Sequence, residues 1–222
     1  MTGADVPRGA DLPPDTPGPI VVIGPMGAGK SSVGRRVAKA LGVPFTDTDR
    51  VIAREHGPIP QLFAERGEPA FRELEAAAVR QAMQTGGVVS VGGGAVMHPD
   101  TRAAMTGAHV VLLTVTAEAV AARIAGSDRP LIASGGITAW QRILDERAPT
   151  YAALAHVVLD TSRRPMSRVA DDVVAWVRST VQDTAGDADT SAPPSATPPT
   201  AAPPTAAPPT AAPPATPDEG AP

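Results

Sequence analysis

The residues best suited to chemistry begin at Gly24. The stretch Gly24-Pro25-Met26-Gly27-Ala28-Gly29-Lys30-Ser31 fits the pattern G-x-x-x-x-G-K-[ST]. Each part of it has a physical use. Glycines let the backbone curl until several N–H groups converge on phosphate oxygens. A helix starting near Ser31 adds the positive end of its dipole. The Lys30 ammonium can reach the β- and γ-phosphates of a nucleotide, and the Ser31 hydroxyl can ligate Mg2+. Asp47-Thr48-Asp49 follows. On a strand, residues i and i+2 point the same way. The two carboxylates would then project together from the carboxyl end of a strand, where open α/β sheets bind ligands. One could hold Mg2+ or its waters, and the other could orient a substrate hydroxyl or take its proton. The alternative is a solvated loop with Asp49 as a helix N-cap.

Other candidates are more ambiguous. Gly92-Gly93-Gly94 is either bare backbone that a ligand approaches closely or a flexible turn. Arg72 and Glu75 share one helix face, so Glu75 either orients Arg72 or forms an ordinary exposed ion pair with it. Arg129, in Gly126-Ser127-Asp128-Arg129-Pro130, falls in a loop between two helices and could act as a lid cation on a transferring phosphate. His98 and His109 suggest only a loop and a strand start.

The elements that must position these residues alternate along the chain. Pro19–Ile23 is a short apolar run and reads as a buried parallel strand. Val33, Val37 and Leu41 predict a helix from Ser31 that Gly42 stops. A weak strand signal lies at Val43–Thr46, and further strands are predicted at Val88–Val91, His109–Val115 and Ala155–Leu159. Helices are predicted at Gln61–Arg66 and Pro69–Gln84, either side of Gly67, then after Thr116, at Thr138–Arg147 and at Ser167–Val181. Strands separated by helices imply a parallel sheet covered on both faces.

Composition excludes several other chemistries. The chain of 222 residues has no Cys, so disulfides, thiolate metal sites and a Cys nucleophile are ruled out. Its 4 His include no pair at metal-ligand spacing, which argues against a zinc site. Five of the 23 acidic residues lie beyond the last basic residue, Arg178, leaving the rest of the chain close to neutral. That is not the basic face of a nucleic-acid binder. Aromatics are only 3%, so the core must be built from Val, Ile, Leu and Ala. No apolar run approaches a membrane span, and the expectation is a soluble cytoplasmic protein. Residues 1–18 and 183–222 are too rich in Pro, Ala, Thr and Gly to bury much surface, and both are expected to be disordered. PPTAA repeats from Pro198, Pro203 and Pro208, with no aromatic or basic anchor beside it. This tail reads as a spacer rather than a ligand for a Pro-recognising partner.

The ordered set of motifs resembles the shikimate kinases. The resemblance is carried by GPMGAGKSSVGRRVAKALG, DTD at Asp47–Asp49, PAFRELE around Arg72 and GGGAV from Gly92. DRPL around Arg129, RAPTY around Arg147 and DTSRRP up to Arg164 complete the set. It spans about Ile20 to Val181. The family implies one P-loop domain over residues 19–182, of the nucleoside-monophosphate-kinase-like α/β type. Its five-stranded parallel sheet has the order 2-3-1-4-5. The implied reaction is ATP-dependent phosphorylation of shikimate to 3-phosphoshikimate, on the route to chorismate and the aromatic amino acids. By the same resemblance, Gly27, Ala28, Gly29, Lys30, Ser31 and Ser32 bind the ATP phosphates, and Ser31 and Asp47 serve Mg2+. Asp49 binds the shikimate hydroxyls with the Gly92, Gly93 and Gly94 backbone, and Arg72 and Arg147 grip the carboxylate. Arg129 is the lid arginine, while Arg123 and Arg164 flank the adenine. Lys30, Asp49 and Arg129 would carry the chemistry, with Asp49 either a general base or a group that only positions the hydroxyl. The lid between Arg123 and Arg129 is about one residue shorter than in the family, and Ser32 and Thr150 stand where Thr and Leu are commoner. The implied partner is a small-molecule substrate, with no nucleic acid or membrane, and the expected state is a monomer. The rivals are another small-molecule P-loop kinase, such as one for gluconate, and a non-catalytic shikimate- or nucleotide-responsive module.

Overall fold

The computed structural model describes residues 18–124 and 136–189. The element order is β1 (Ile20–Ile23), α1 (Lys30–Leu41), β2 (Phe45–Asp47), α2 (Thr48–His56), α3 (Ile59–Thr85) and β3 (Val88–Ser90). A 3-10 turn (Ala95–Met97) and α4 (Pro99–Ala104) lead to β4 (His109–Thr114) and α5 (Ala117–Ile124). Then come α6 (Gly136–Leu154), β5 (Val157–Asp160) and α7 (Met166–Asp189). The strands form one sheet in the order β2-β3-β1-β4-β5, every pair parallel.

The apolar run of β1 is buried on both faces, as a central parallel strand must be. Its side chains alternate. Ile20 and Val22 pack with Val33 and Val37 of α1 and Val169, Val173 and Val177 of α7. Val21 and Ile23 pack with Val79 of α3, Val96 and Tyr151 on the opposite face. The core is thus made mostly from Val, Ile, Leu and Ala, with Phe71, Trp140 and Tyr151 as its aromatic members.

Several local expectations change. Asp47 closes β2 and is the N-cap of α2, its side chain accepting from the Arg50 amide at 3.3 Å. The Asp47-x-Asp49 pair therefore does not lie on one strand, because the cap starts a helix at Thr48. Asp49 sits in the first turn of that helix and is not its N-cap. The helices expected on either side of Gly67 are both present and abut in α3. Gly67 itself has φ 76 and ψ 171, a left-handed break that a side chain would strain. Pro149 does not stop α6, which runs on to Leu154 and delays β5 to Val157. The last helix continues past Val181 to Asp189. Among the described residues no helix is long and apolar enough to cross a membrane.

Candidate active site

The phosphate-binding loop hangs between β1 and α1, at the carboxyl edge of the sheet. Gly29 is the N-cap of α1 with φ 86, and its carbonyl accepts from the amides of Ser32 and Val33 at 3.0 and 2.9 Å. A Cβ at Gly29 would meet the thioether of Met166, with Sδ at 2.7 Å, so glycine is required for conformation and for space. Lys30 folds back over the loop and donates to the carbonyls of Gly24 at 2.8 Å and Pro25 at 3.0 Å. Ala28 is fully buried and contributes backbone only, its amide donating to Pro25 at 3.3 Å. The Ser32 hydroxyl is bonded to Arg36 at 2.5 Å.

A cleft of about 850 Å3 opens over this loop. It is lined by Gly27, Gly29, Lys30, Ser31 and Ser32 of the loop and its helix, together with Asp49, Arg72, Glu75, the Gly92–Gly94 backbone and Arg147. Residues separated by more than a hundred positions in the sequence thus share one cavity. Asp47 is not among the lining residues; it is 9% exposed and bound to its own helix start.

The Arg72–Glu75 pair is not an ordinary surface pair. The guanidinium donates to Glu75 at 2.6 Å, and Glu75 is 1% exposed. Glu68 accepts from the other edge of the guanidinium at 2.8 and 3.2 Å. Two carboxylates one helical turn apart in each direction therefore fix the orientation of Arg72. Burial pushes the Glu75 carboxyl above its ordinary range and nearby Asp49 adds to this, while Arg72 and Arg147 pull it down.

The glycine triplet makes room for this arrangement, so the flexible-turn alternative gives way to close approach. A Cβ at Gly92 would overlap Glu75 and lie 2.8 Å from the Asp49 carboxylate. At Gly94 it would fall on the Arg72 guanidinium, 2.6 Å from Cζ. Gly94→Ala is expected to push Arg72 off Glu75, because a guanidinium yields more readily than backbone. Steady-state kinetics should then show about a tenfold rise in the KM of the acceptor substrate, the scale of one charged hydrogen bond, and the melting temperature should fall because Glu75 is left buried without its partner.

The remaining predicted residues fall at the rim or outside it. Arg123, at the end of α5, donates to the Gly27 carbonyl at 3.0 Å, to the Thr161 hydroxyl at 3.1 Å and to the Thr161 carbonyl. It staples the phosphate loop to the end of β5 and also lines the cleft. Arg164 does not line it; it is half-exposed and paired with Asp172 at 2.6 Å. Arg129 lies outside the described residues.

The sequence reading passed over an apolar wall. Ile59, Pro60, Phe63 and Phe71 line the cleft, the two rings 4.5 Å apart and tilted by 34°. A signal for it existed: Ile59, Leu62 and Phe63 crowd apolar residues into one short helix, and they pack with Phe71 in one small cluster. Trp140 was passed over too. It is 3% exposed, and its indole N–H donates to the Met26 carbonyl at 3.0 Å.

A carboxylate-fixed guanidinium facing a phosphate loop across one cleft is an arrangement with relatives. Residues 26–178 match the family described as SKI: Shikimate kinase. A shikimate kinase of Rhodococcus erythropolis is 42% identical over 159 residues, covering 70% of this chain and 94% of its own. One of Mycobacterium avium is 42% identical over 164 residues, covering 72% and 93%. Among solved structures, the shikimate kinase of Acinetobacter baumannii in complex with shikimate superposes with a TM-score of 0.71 at 30% identity, covering 75% of this chain and 96% of that one. The match spans the phosphate loop, the Arg72 helix, the glycine triplet and the Arg147 helix alike, and the chain belongs to the shikimate kinase family.

Proposed function

We propose that this chain transfers the γ-phosphoryl group of ATP to the 3-hydroxyl of shikimate, with Mg2+ as the metal. The observation that carries the reading is that Arg72 and Arg147 line one cleft with Lys30 and Ser31. Phosphoryl transfer needs little from the protein beyond positioning and charge stabilisation. Gly27–Ser31 backbone N–H groups and Lys30 hold the phosphates, and Ser32 extends the same first turn. Arg72 and Arg147 offer two planar forks to a carboxylate at the far end of the cleft. Asp49 meets the hydroxyl end, where it orients the attacking oxygen or accepts its proton. The apolar Phe63–Phe71 wall favours the face of a compact ring over an open-chain polyol such as gluconate.

Ser31 and Asp47 are the residues that would hold Mg2+. Ser31 is at the cleft floor, and Asp47 keeps one carboxylate oxygen beyond the one capping Arg50. Both are hard oxygen donors, which suits Mg2+. The ion would neutralise charge on the transferring group. Arg129 is assigned to the lid, and Arg123 and Arg164 to the adenine side. The Arg123 guanidinium, pinned to Gly27 and Thr161, offers a flat face there, whereas Arg164 must leave Asp172 to join it. The reading is completed by a cytoplasmic monomer acting on a small molecule. The kinase domain is assigned to residues 19–182, with the flanking segments outside the catalytic unit.

The direct test is ADP release with shikimate, quinate and gluconate as acceptors. Turnover with shikimate should exceed the other two by at least about two orders of magnitude, as expected of a site built to pair specific polar groups. Comparable turnover with gluconate would transfer the reading to another small-molecule kinase, and no turnover with any acceptor would favour the non-catalytic module.

A further inference from the structure

Helix α6 is tied to both ligand-binding loops, once at each end, by an aromatic donor. Near its start, the Trp140 indole donates to the Met26 carbonyl in the phosphate loop at 3.0 Å. Near its end, the Tyr151 hydroxyl donates to the Gly93 carbonyl in the glycine loop. Both side chains are almost fully buried. Residues 140, 144, 147 and 151 fall on one helix face, so Arg147 sits between the two ties. Its positive charge also acts on the Tyr151 phenol, one turn further along the helix. Burial pushes the Tyr151 phenol above its ordinary range, with Arg147 opposing, so the hydroxyl keeps its proton and can donate to Gly93.

Two features make these ties decisive rather than incidental. Pro149 lies inside α6 and has no N–H, so the turn that carries Arg147 lacks one helical hydrogen bond to Asp145. A void of about 20 Å3, bordered by Pro25, Met26, Leu144 and Arg147, also lies between the helix and the phosphate loop. Close packing does not fill that space, so the two directional bonds add to the packing of Trp140, Leu144 and Tyr151 in fixing the helix there.

We propose that Trp140 and Tyr151 are positioning residues for Arg147. They hold its guanidinium at a fixed place relative to the phosphate loop and the glycine loop, and through it set acceptor specificity. The proposal rests on the reading of Arg147 as a carboxylate-binding group.

The test compares kcat/KM for shikimate and for its methyl ester in wild type, Trp140→Phe, Tyr151→Phe and Arg147→Ala, and in each Phe change combined with Arg147→Ala. The ratio is taken within one preparation, so a lowered folded fraction cancels. Each Phe variant keeps the ring and deletes only the donor. Each should lower kcat/KM for the acid by about tenfold, the usual scale for orphaning a buried acceptor, while leaving the ester and the KM for ATP nearly unchanged. In the Arg147→Ala background neither Phe change should alter the ratio. Equal loss for acid and ester would overturn the proposal and leave the two aromatics as structural residues. If Arg147→Ala itself keeps the wild-type ratio, the carboxylate reading fails and the proposal falls with it. If Arg147→Ala collapses the ratio and the Phe variants do not, the proposal alone is wrong.

Discussion

Replacing Lys30 by alanine should lower kcat by roughly 10³-fold or more, the largest effect expected of any single substitution in this chain. Losing a preorganised group that stabilises charge in the transition state typically costs about 3–4 kcal/mol, and each 1.36 kcal/mol is about a factor of ten in rate. Lys30 is one of only two lysines, the other being Lys39 on α1. Its ammonium already touches the Gly24 and Pro25 carbonyls. Part of its work is therefore to shape the loop, and Lys30→Ala should also lower stability, by about 1–2 kcal/mol for two net hydrogen bonds. For a chain of this size that is a melting shift of roughly 2–8 °C. The two effects separate cleanly, since a shift of that size leaves the protein folded at assay temperature while turnover collapses. ADP release and thermal melting of one preparation check both. Near-normal kcat in this variant would remove Lys30, and the loop around it, from the phosphate-binding role.

How much of this was legible in the sequence depended on the range of the interaction. The phosphate loop was readable because strand, glycines, lysine and helix are contiguous, and local geometry is nearly all it needs. Gly42 and Gly67 were readable for the same reason: a positive φ is a property of one residue, and both have it. The sheet order came through the family resemblance, since five apolar runs do not by themselves say which strand lies in the middle. Asp47-Thr48-Asp49 was misplaced because strand alternation and helix capping compete for the same three residues. The Arg50 amide decided in favour of the cap. The helix was expected over Thr138–Arg147, yet α6 continues through Pro149 to Leu154. Tyr151, packed beneath the sheet and bonded to Gly93, holds the last turns in place. Tertiary contact of that kind leaves no mark on a local window. Glu75 shows the same limit. Its spacing from Arg72 permitted an ordinary ion pair, and only the fold shows it to be buried beneath Gly92.

Arg147 gives the second large expected effect, and it bears on substrate identity rather than on nucleotide binding. Arg72 and Arg147 are supplied by α3 and α6, distant in sequence, yet they line the same cleft. Glu68 and Glu75 hold Arg72 from two sides, so it is already committed in orientation before any ligand arrives. A second guanidinium opposite it would complete a site for a carboxylate, and each charge-assisted bond there is worth about 1.5–3 kcal/mol. Arg147→Ala should therefore lower kcat/KM for shikimate by roughly 10- to 100-fold or more. ATP affinity measured by titration without shikimate should change little, because Arg147→Ala leaves the Trp140 bond to the phosphate loop in place. Arg147→Lys should rescue only in part, since an ammonium restores charge but not the planar fork. The methyl ester of shikimate supplies the complementary measurement. Esterification removes the charge that the two arginines would read, so wild type should use the ester poorly, while Arg147→Ala should discriminate far less between ester and acid. Arg72 remains in the variant, so some preference for the acid should survive. A full wild-type preference in Arg147→Ala would mean that Arg72 alone reads the carboxylate, and that Arg147 serves the cleft in another way.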